Sequence, residues 1–549
     1  MTALVLLLVV ALSGAVVRLL PIKLPLPLVQ IGLGAVLAMP MFGMRVQFDP
    51  ELFFLLFIPP LLFADGWRIP KRELFLLRGP ILALAIGLVF FTIVGVGYFV
   101  HWMIPTVPLP VAFALAAVLS PTDAVAVTSI TGGSRIPSRL LHVLEGEALF
   151  NDASGLVALQ FAVMAAVTGH FSLADASVDF FIKALGGILA GALVSWVFGH
   201  VRRRLVRWSG EGDPSSQVAL LLLLPFAAYL LAEHFDVSGI LAAVAAGMMM
   251  NYTDVLKGGH VATRMQNNSV WSMVEFTFNG IIFLLLGLQL PGVLGNAKLD
   301  LAQAGGGHMW YLAGYVVAIT LALVLLRFIW VWVSLRFVLL RSLVRHESRP
   351  RPGVRLVWTT ALAGVRGSIT LAGVLSIPLV IREGVPFPVR DLLVFLASGV
   401  ILCTLIFGAI GLPLLVKGLK LPGEDPRVRE EREARALTAQ AALRGIEAEV
   451  KRIQEDADED SVALSSQVAA RVMSDYQQRM EAAGEEGDVP DKARAEAGTE
   501  RAIRLAALRA ERKELYHLRG THHINDETLG VLLREVDLAE AALTGLHAG

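Results

Sequence analysis

Cysteine is almost absent from this 549-residue chain: a single residue, Cys403, stands in an apolar run. One thiol excludes a disulfide framework and a cysteine-built metal site. Charge is scarce as well. Only 17% of the residues are Asp, Glu, Lys or Arg, against about a quarter in soluble globular domains. Up to residue 419 there is no long polar stretch, only apolar runs with short breaks. This excludes an ordinary water-soluble fold for that part. No basic segment precedes the run Ala3–Val17 and no clear small-residue cleavage site follows it, so it reads as a retained first helix rather than a secretory signal.

What is present is apolar. Hydrophobic residues make up 55% of the chain and the mean hydropathy is +0.65. The formal net charge of zero hides a division. Residues 1–419 hold 28 Lys and Arg against 20 Asp and Glu, whereas residues 420–549 hold 19 against 27. Two domains are expected: a transmembrane domain over 1–419 and a cytoplasmic helical tail over 420–549. In the tail, mixed-charge segments near Arg427–Gln454, Ser461–Met480, Ala493–Leu518 and Asp526–Leu546 read as helix, with a break at Gly484–Pro490.

About 20 apolar residues are needed to cross the hydrocarbon core as a helix. Runs of that kind fall near 3–20, 26–43, 50–66, 76–100, 109–130, 139–168, 180–201, 216–234, 238–251, 270–290, 310–335, 355–381 and 391–416. Thirteen spans put the termini on opposite sides. Loops after odd-numbered spans carry 19 basic residues, among them Arg68, Lys71, Arg72, Arg202, Arg203, Arg204, Lys257 and Arg355. The other loops carry five: Arg45, Lys183, Lys298, Arg382 and Arg390. Basic loops stay in the cytoplasm, so the N-terminus is expected outside an inner cell membrane and the tail inside.

Charges within spans are costly, and usually face a cavity or a partner on an ion path. Six acids need an account: Asp65, Asp123, Glu145, Glu147, Asp152 and Glu275. Arg366 lies mid-span, and Arg327 lies in a run long enough for its side chain to reach an interface. In the fifth span Pro121 breaks the helix and Thr122 and Asp123 follow. Such backbone survives at membrane depth only inside protein or along a cavity. Asp123 at the start of the second half-helix would be favoured by that helix's positive end; a simple proline kink with a capping Asp accounts for it equally. In the sixth span Glu147 and Asn151 share a face, while Asp152 points about 140° from Glu147. Glu145 and Asp152 stack on one face about 10 Å apart. Glu145, toward the cytoplasmic end, reads as a helix-start acid near the interface, the alternative being an acid that concentrates cations in the funnel. A structural ion pair covers Glu147, because Arg366 is available, and leaves Asp152 without a cation. The twelfth span has weak helix at Gly364-Val365-Arg366-Gly367. Broken helices in corresponding positions of two halves point to a transporter site. Spans five and twelve correspond if helices 1–6 and 8–13 are repeats, inverted because seven helices separate them.

These residues resemble a known family. Ser120-Pro121-Thr122-Asp123, Gly146-Glu147-Ala148-Leu149-Phe150-Asn151-Asp152 and Gly364-Val365-Arg366-Gly367 look like signature motifs of monovalent cation/proton antiporters of the electroneutral first subfamily, bacterial sodium/hydrogen exchanger branch. Ile58–Asp65, Ala232–Gly239 and Phe278–Gly287 support the likeness, which spans about residues 1–419. The resemblance implies an all-α polytopic protein of about thirteen transmembrane helices. They would form two inverted six-helix repeats, with helices 5 and 12 unwound and crossing. Helices 1–3 and 8–10 would form a dimerisation domain, hence a homodimer, and helices 4–6 and 11–13 a moving core. Asp152 would bind the ion or the proton, with Asn151, Asp123, Thr122 and Asp65 around it; Asp152, Thr122 and Asp65 would face sodium. Glu147 would pair with Arg366. Many relatives carry Ser where Ala148 stands here, so a water would replace that hydroxyl.

A buried carboxylate holds a proton more tightly, and a nearby cation favours its charge. Asp152 would therefore take H⁺ or Na⁺ in turn, and the bare site would not cross the membrane. With Asn151 before it and Glu147 tied to arginine, one free charge gives one H⁺ per Na⁺ or Li⁺. Exchange of K⁺ at the same site is the alternative. No enzyme activity or cofactor is expected, and no nucleic acid among the partners. An intramembrane hydrolase would need a dyad, and His101, His142, His170 and His200 stand near span ends. A channel would not need a titrating carboxylate.

Overall fold

A computed structural model of the chain describes residues 2–21, 24–40, 50–131, 136–168, 173–209, 213–250, 261–303, 309–344, 353–378, 380–382, 385–417, 419, 426–455, 467–474, 477, 491–521, 523 and 526–544. Of the features predicted above, Arg45, Lys257, the Gly484–Pro490 break and parts of Ser461–Met480 lie outside the described residues. The chain divides into two compact units, Met1–Lys420 and Leu421–Gly549.

Among the described residues, the first unit is helical apart from one small hairpin. In order it contains α1 (Thr2–Leu19), α2 (Leu26–Leu37), α3 (Pro50–Arg68), α4 (Lys71–Leu76) and α5 (Arg78–Leu82), then a π-helical turn at Ala83–Leu88 that runs into α6 (Val89–Met103). Next come α7 (Leu109–Val118), α8 (Ala124–Thr131), α9 (Ser138–Thr168), α10 (Leu173–Ser209), α11 (Pro214–His234), α12 (Gly239–Met250), α13 (Val261–Gln303) and α14 (Met309–Val344). The unit closes with α15 (Val354–Leu362), α16 (Ser368–Leu375) and α17 (Arg390–Val416). Eight stretches among the described residues are long and apolar enough to cross a membrane, and α2, α7 and α12 are shorter apolar helices. In lipid every backbone polar group must be satisfied internally, which is why apolar runs of this kind become helices.

Two segments are broken. Between α7 and α8 the chain from Leu119 to Asp123 is non-helical, because Pro121 has no N–H to give to the preceding turn. Between α15 and α16 the backbone opens over Ala363–Gly367. The expectation of helix to residue 381 fails here. α16 stops at Leu375, ahead of Pro378, and Val380–Arg382 pairs antiparallel with Val385–Pro386. Proline disfavours helix in the residue before it, and Val380, Ile381 and Val385 are β-branched strand formers. The hairpin is a five-residue feature in an otherwise all-α unit among the described residues.

Arginines close the helix ends around the second break. Arg390 donates to the carbonyls of Ile377 at 2.8 Å and Leu375 at 3.1 Å, at the C-terminal end of α16. Arg355 donates to those of Leu415 and Leu414, both at 2.9 Å, at the end of α17. The last carbonyls of a helix have no partner within it, so these side chains tie α15, α16 and α17 together.

The second unit contains the helices Pro426–Glu455, Asp491–Gly520 and Asp526–Thr544. The last two pack against each other. Leu508, Leu515, Leu532 and Val536 lie along their seam.

Candidate functional site

The two breaks meet. The amide of Asp123 donates to the carbonyl of Val365 at 2.8 Å, backbone to backbone across the gap. Asp123 then caps its own half-helix, its Oδ1 accepting from the amide of Ala126 at 2.9 Å. Its other oxygen presses on Gly367, the residue before α16. A Cβ built on Gly367 would collide with Oδ2, so only glycine admits the carboxylate there. One carboxylate thus lies at the N-terminal ends of α8 and α16, where exposed amides favour negative charge. The capping role and the crossing role expected for Asp123 coexist.

Arg366 serves the opposite polarity. Its Nη1 donates to the carbonyl of Pro121 at 3.1 Å, and its amide donates to the hydroxyl of Thr404 at 3.1 Å. It is not the partner of Glu147, and the expected Glu147–Arg366 ion pair is corrected. Glu147 is held by Arg327 of α14, through Nη1 to Oε1 and through Nη2 to Oε2 at 2.6 Å. Arg327 also donates from Nε to the carbonyl of Thr360 at 2.8 Å. The expectation that Arg327 reaches an interface fails with it, since its side chain is 3% exposed and that of Glu147 1%. The physical reason is reach: Arg366 is already spent on the carbonyl at the Pro121 break, while α14 packs against α15 and leads Arg327 inward.

Thr122 links this pair to the sixth predicted span. Its hydroxyl donates to Glu147 Oε1 at 3.3 Å and accepts from Asn151 Nδ2 at 2.8 Å. Glu147 and Asn151, one helical turn apart, therefore meet one threonine. Asn151 is buried, and its Oδ1 has no hydrogen-bond partner among the described residues.

Asp152 faces elsewhere. It lines a cavity of about 210 Å³ together with Asp65, Thr122, Asp123, Glu145 and Glu275. Glu145, Ala148, Leu149 and Asp152 all face this cavity, the i, i+3, i+4, i+7 stripe of one helix face. Glu145 lines the cavity rather than starting the helix, because α9 begins seven residues earlier at Ser138; of its two readings, the helix-start one is corrected. Asp152 is 6% exposed. Among the described residues, no ion pair or hydrogen bond engages its carboxylate, nor that of Asp65.

Four of the predicted residues, Asp152, Asp123, Thr122 and Asp65, are brought to this cavity, and Asn151, Glu147 and Arg366 stand behind it. Arg68, Glu275, Asn279 and Ser368 also line it and were not predicted as site residues. The hydroxyl of Ser368 bonds Asn279 Oδ1 at 3.3 Å. The unassigned intramembrane acid Glu275 was the signal available for this side of the site.

Comparison with known proteins gives the family and the fold. The family profile described as "Sodium/hydrogen exchanger, transmembrane" matches residues 5–418. A protein of Escherichia coli (strain K12) named "Uncharacterized Na(+)/H(+) exchanger YjcE" is 48% identical over 99% of this chain and 98% of its own length. The "Sodium, potassium, lithium and rubidium/H(+) antiporter" of Bacillus pumilus (strain SAFR-032) is 40% identical over 94% of this chain and 74% of its own. In fold, the chain is similar to the sodium proton antiporter MjNhaP1 from Methanocaldococcus jannaschii at pH 8, with a TM-score of 0.57 at 17% identity, covering 76% of this chain and 97% of that one. This multi-pass membrane protein belongs to the sodium/hydrogen exchanger family of monovalent cation/proton antiporters.

Proposed function

We propose that the chain exchanges one Na⁺, or one Li⁺, for one H⁺ by alternating access, with Asp152 holding either ion. The observation that carries this reading is a buried carboxylate with no fixed partner among the described residues, facing a cavity at the crossing of two broken helices. Proton and metal ion compete for such a group, since each stabilises what the other must displace. Asp65 and Thr122 would complete the sodium shell and Asp123 would brace the crossing. Asn151 would orient Thr122.

One-for-one exchange requires that the other cavity carboxylates keep their charge through the cycle. Asp123 is fixed at two helix N-terminal ends, by the amide of Ala126 and against Gly367. Glu147 is neutralised by Arg327. Asp152, buried and without a fixed partner among the described residues, would be the group whose charge changes.

The assembly around this site would be thirteen crossings in two inverted repeats. Support comes from a helix or a broken helix in each predicted interval, α7–α8 being the fifth and α15–α16 the twelfth. Helices 1–3 and 8–10 would pair two copies into a homodimer, while helices 4–6 and 11–13 move. The basic loops put the N-terminus outside the inner membrane and the 420–549 tail in the cytoplasm. A second reading, K⁺ exchange at the same site, is favoured by the potassium and rubidium in the name of the Bacillus pumilus relative. The missing hydroxyl at Ala148, which lines the cavity, leaves room for a larger or more hydrated ion.

The test is proton flux in proteoliposomes driven by NaCl, LiCl or KCl, read with a pH dye, with the membrane potential clamped or free. Sodium-driven flux that ignores the clamp supports electroneutral Na⁺/H⁺ exchange. Flux that follows the potential rejects the one-for-one count, and flux driven by K⁺ alone selects the second reading.

A further inference from the structure

The cavity has two arginine–glutamate pairs near it, and they are built differently. In Glu147–Arg327 both carboxylate oxygens are engaged and both side chains are out of water. In Glu275–Arg68 only Oε2 is engaged, by Arg68 Nη1. Arg68 Nη2 lies 3.5 Å from the hydroxyl of Ser272, one turn before Glu275 on α13. The second oxygen, Oε1, is buried and has no hydrogen-bond partner among the described residues. The Arg68 side chain is 44% exposed and that of Glu275 20%, so the guanidinium stands at the rim and the carboxylate just within.

Among the described residues lining the cavity, Arg68 is the one cation. It is also the last residue of α3. An exposed ion pair is weak, because water and salt stabilise the separated charges nearly as well. A fully buried one does not open without leaving an unpaired charge. The inner pair is therefore a permanent fixture, and the rim pair is exchangeable.

We propose that Arg68 and Glu275 form an entry latch: the guanidinium is a tethered competitor that occupies the Glu275 carboxylate until an entering monovalent cation displaces it. The inference rests on the cation-exchange reading above. When the cavity is empty, the latch neutralises Glu275 and keeps its carboxylate from entering ions. When a cation arrives, Arg68 moves into water, both oxygens of Glu275 face the ion, and the ion passes toward Asp65 and Asp152. Arg68 then sets the cation concentration at which the exchanger works, without being part of the exchange step at Asp152.

The experiment measures half-saturation for Na⁺ of dye dequenching in proteoliposomes at constant ionic strength. Arg68→Gln frees Glu275 and lowers the half-saturating sodium concentration about threefold or more. Glu275→Gln raises it. Glu275→Asp, too short to hold Arg68 but still charged, moves it in the same direction as Arg68→Gln, and so tests the latch with Arg68 in place. In the Glu275→Gln background, Arg68→Gln has a markedly smaller effect, because its target is gone. Unchanged half-saturation in Arg68→Gln and Glu275→Asp, with wild-type exchange intact, overturns the latch alone. An equal effect of Arg68→Gln in both backgrounds reduces Arg68 to a general field and also overturns it. A wild-type chain with no sodium-driven flux overturns the exchange reading, and the latch with it.

Discussion

Arg327 on α14 holds both carboxylate oxygens of Glu147 on α9, 180 residues away in sequence, at a depth where neither side chain meets water. The same guanidinium closes on the carbonyl of Thr360, so a single side chain ties α14 to α9 and to the first half of the second broken helix.

Removing Arg327 leaves a buried carboxylate unpaired. Arg327→Gln is expected to destabilise the protein by about 3–5 kcal/mol. Arg366→Gln orphans the Pro121 carbonyl instead, at about 1–3 kcal/mol. Thermal unfolding of the purified proteins in detergent ranks them. An Arg366 variant less stable than the Arg327 variant would contradict the assignment of the ion pair.

Gly367 is where the crossing is tightest. Gly367→Ala drives a methyl group into the Asp123 carboxylate and is expected to cost about 1–3 kcal/mol, with loss of transport. Gly292→Ala in α13 meets nothing within 4 Å and should leave stability equal or slightly raised. Unfolding midpoints of the two variants give the contrast. Equal behaviour would show that the crossing tolerates a side chain.

In the tail, Arg512 bridges Asp537 at 2.6 Å and also Glu540, joining helix Asp491–Gly520 to helix Asp526–Thr544. Hydrogen bonds donated to Glu540 and then to Asp537 raise the Arg512 guanidinium above its ordinary value. A raised basic group contributes fully below its unfolded value and loses that contribution only as pH climbs through the folded one. Hydrogen-exchange protection of residues 491–544 in the full chain should therefore be flat between about pH 6 and 9 and should fall with added salt. Arg512→Ala should lower protection and remove the salt effect. A strong pH dependence in the neutral range would point to other groups.

Much of the membrane unit was legible because its physics is one-dimensional. Span length, the proline at position 121 and the glycines at 364 and 367 each state a local requirement that helix geometry must meet. The stripe Glu145, Ala148, Leu149 and Asp152 follows from helical phase alone, as does the separation of Glu147 from Asp152. Pairing across helices did not follow. Arg327 and Arg366 are both mid-run arginines, and which one reaches Glu147 depends on how α14 lies beside α15, information no single run contains. The same limit hid Arg68 and Glu275, whose meeting depends on the packing of α3 against α13. The π-helical turn at Ala83–Leu88 was invisible for a related reason. Its Ala83 carbonyl accepts from the indole of Trp330 on α14 at 3.1 Å, a contact with a remote helix.

The central claim is that the Asp152 carboxyl group carries the exchanged ions. Its most direct test is sodium-driven proton flux in proteoliposomes, wild type against Asp152→Asn, with the thermal midpoint of each protein recorded. The account predicts a folded Asp152→Asn protein with a near-wild-type midpoint and no sodium-driven flux. Flux at the wild-type rate in that variant would contradict it.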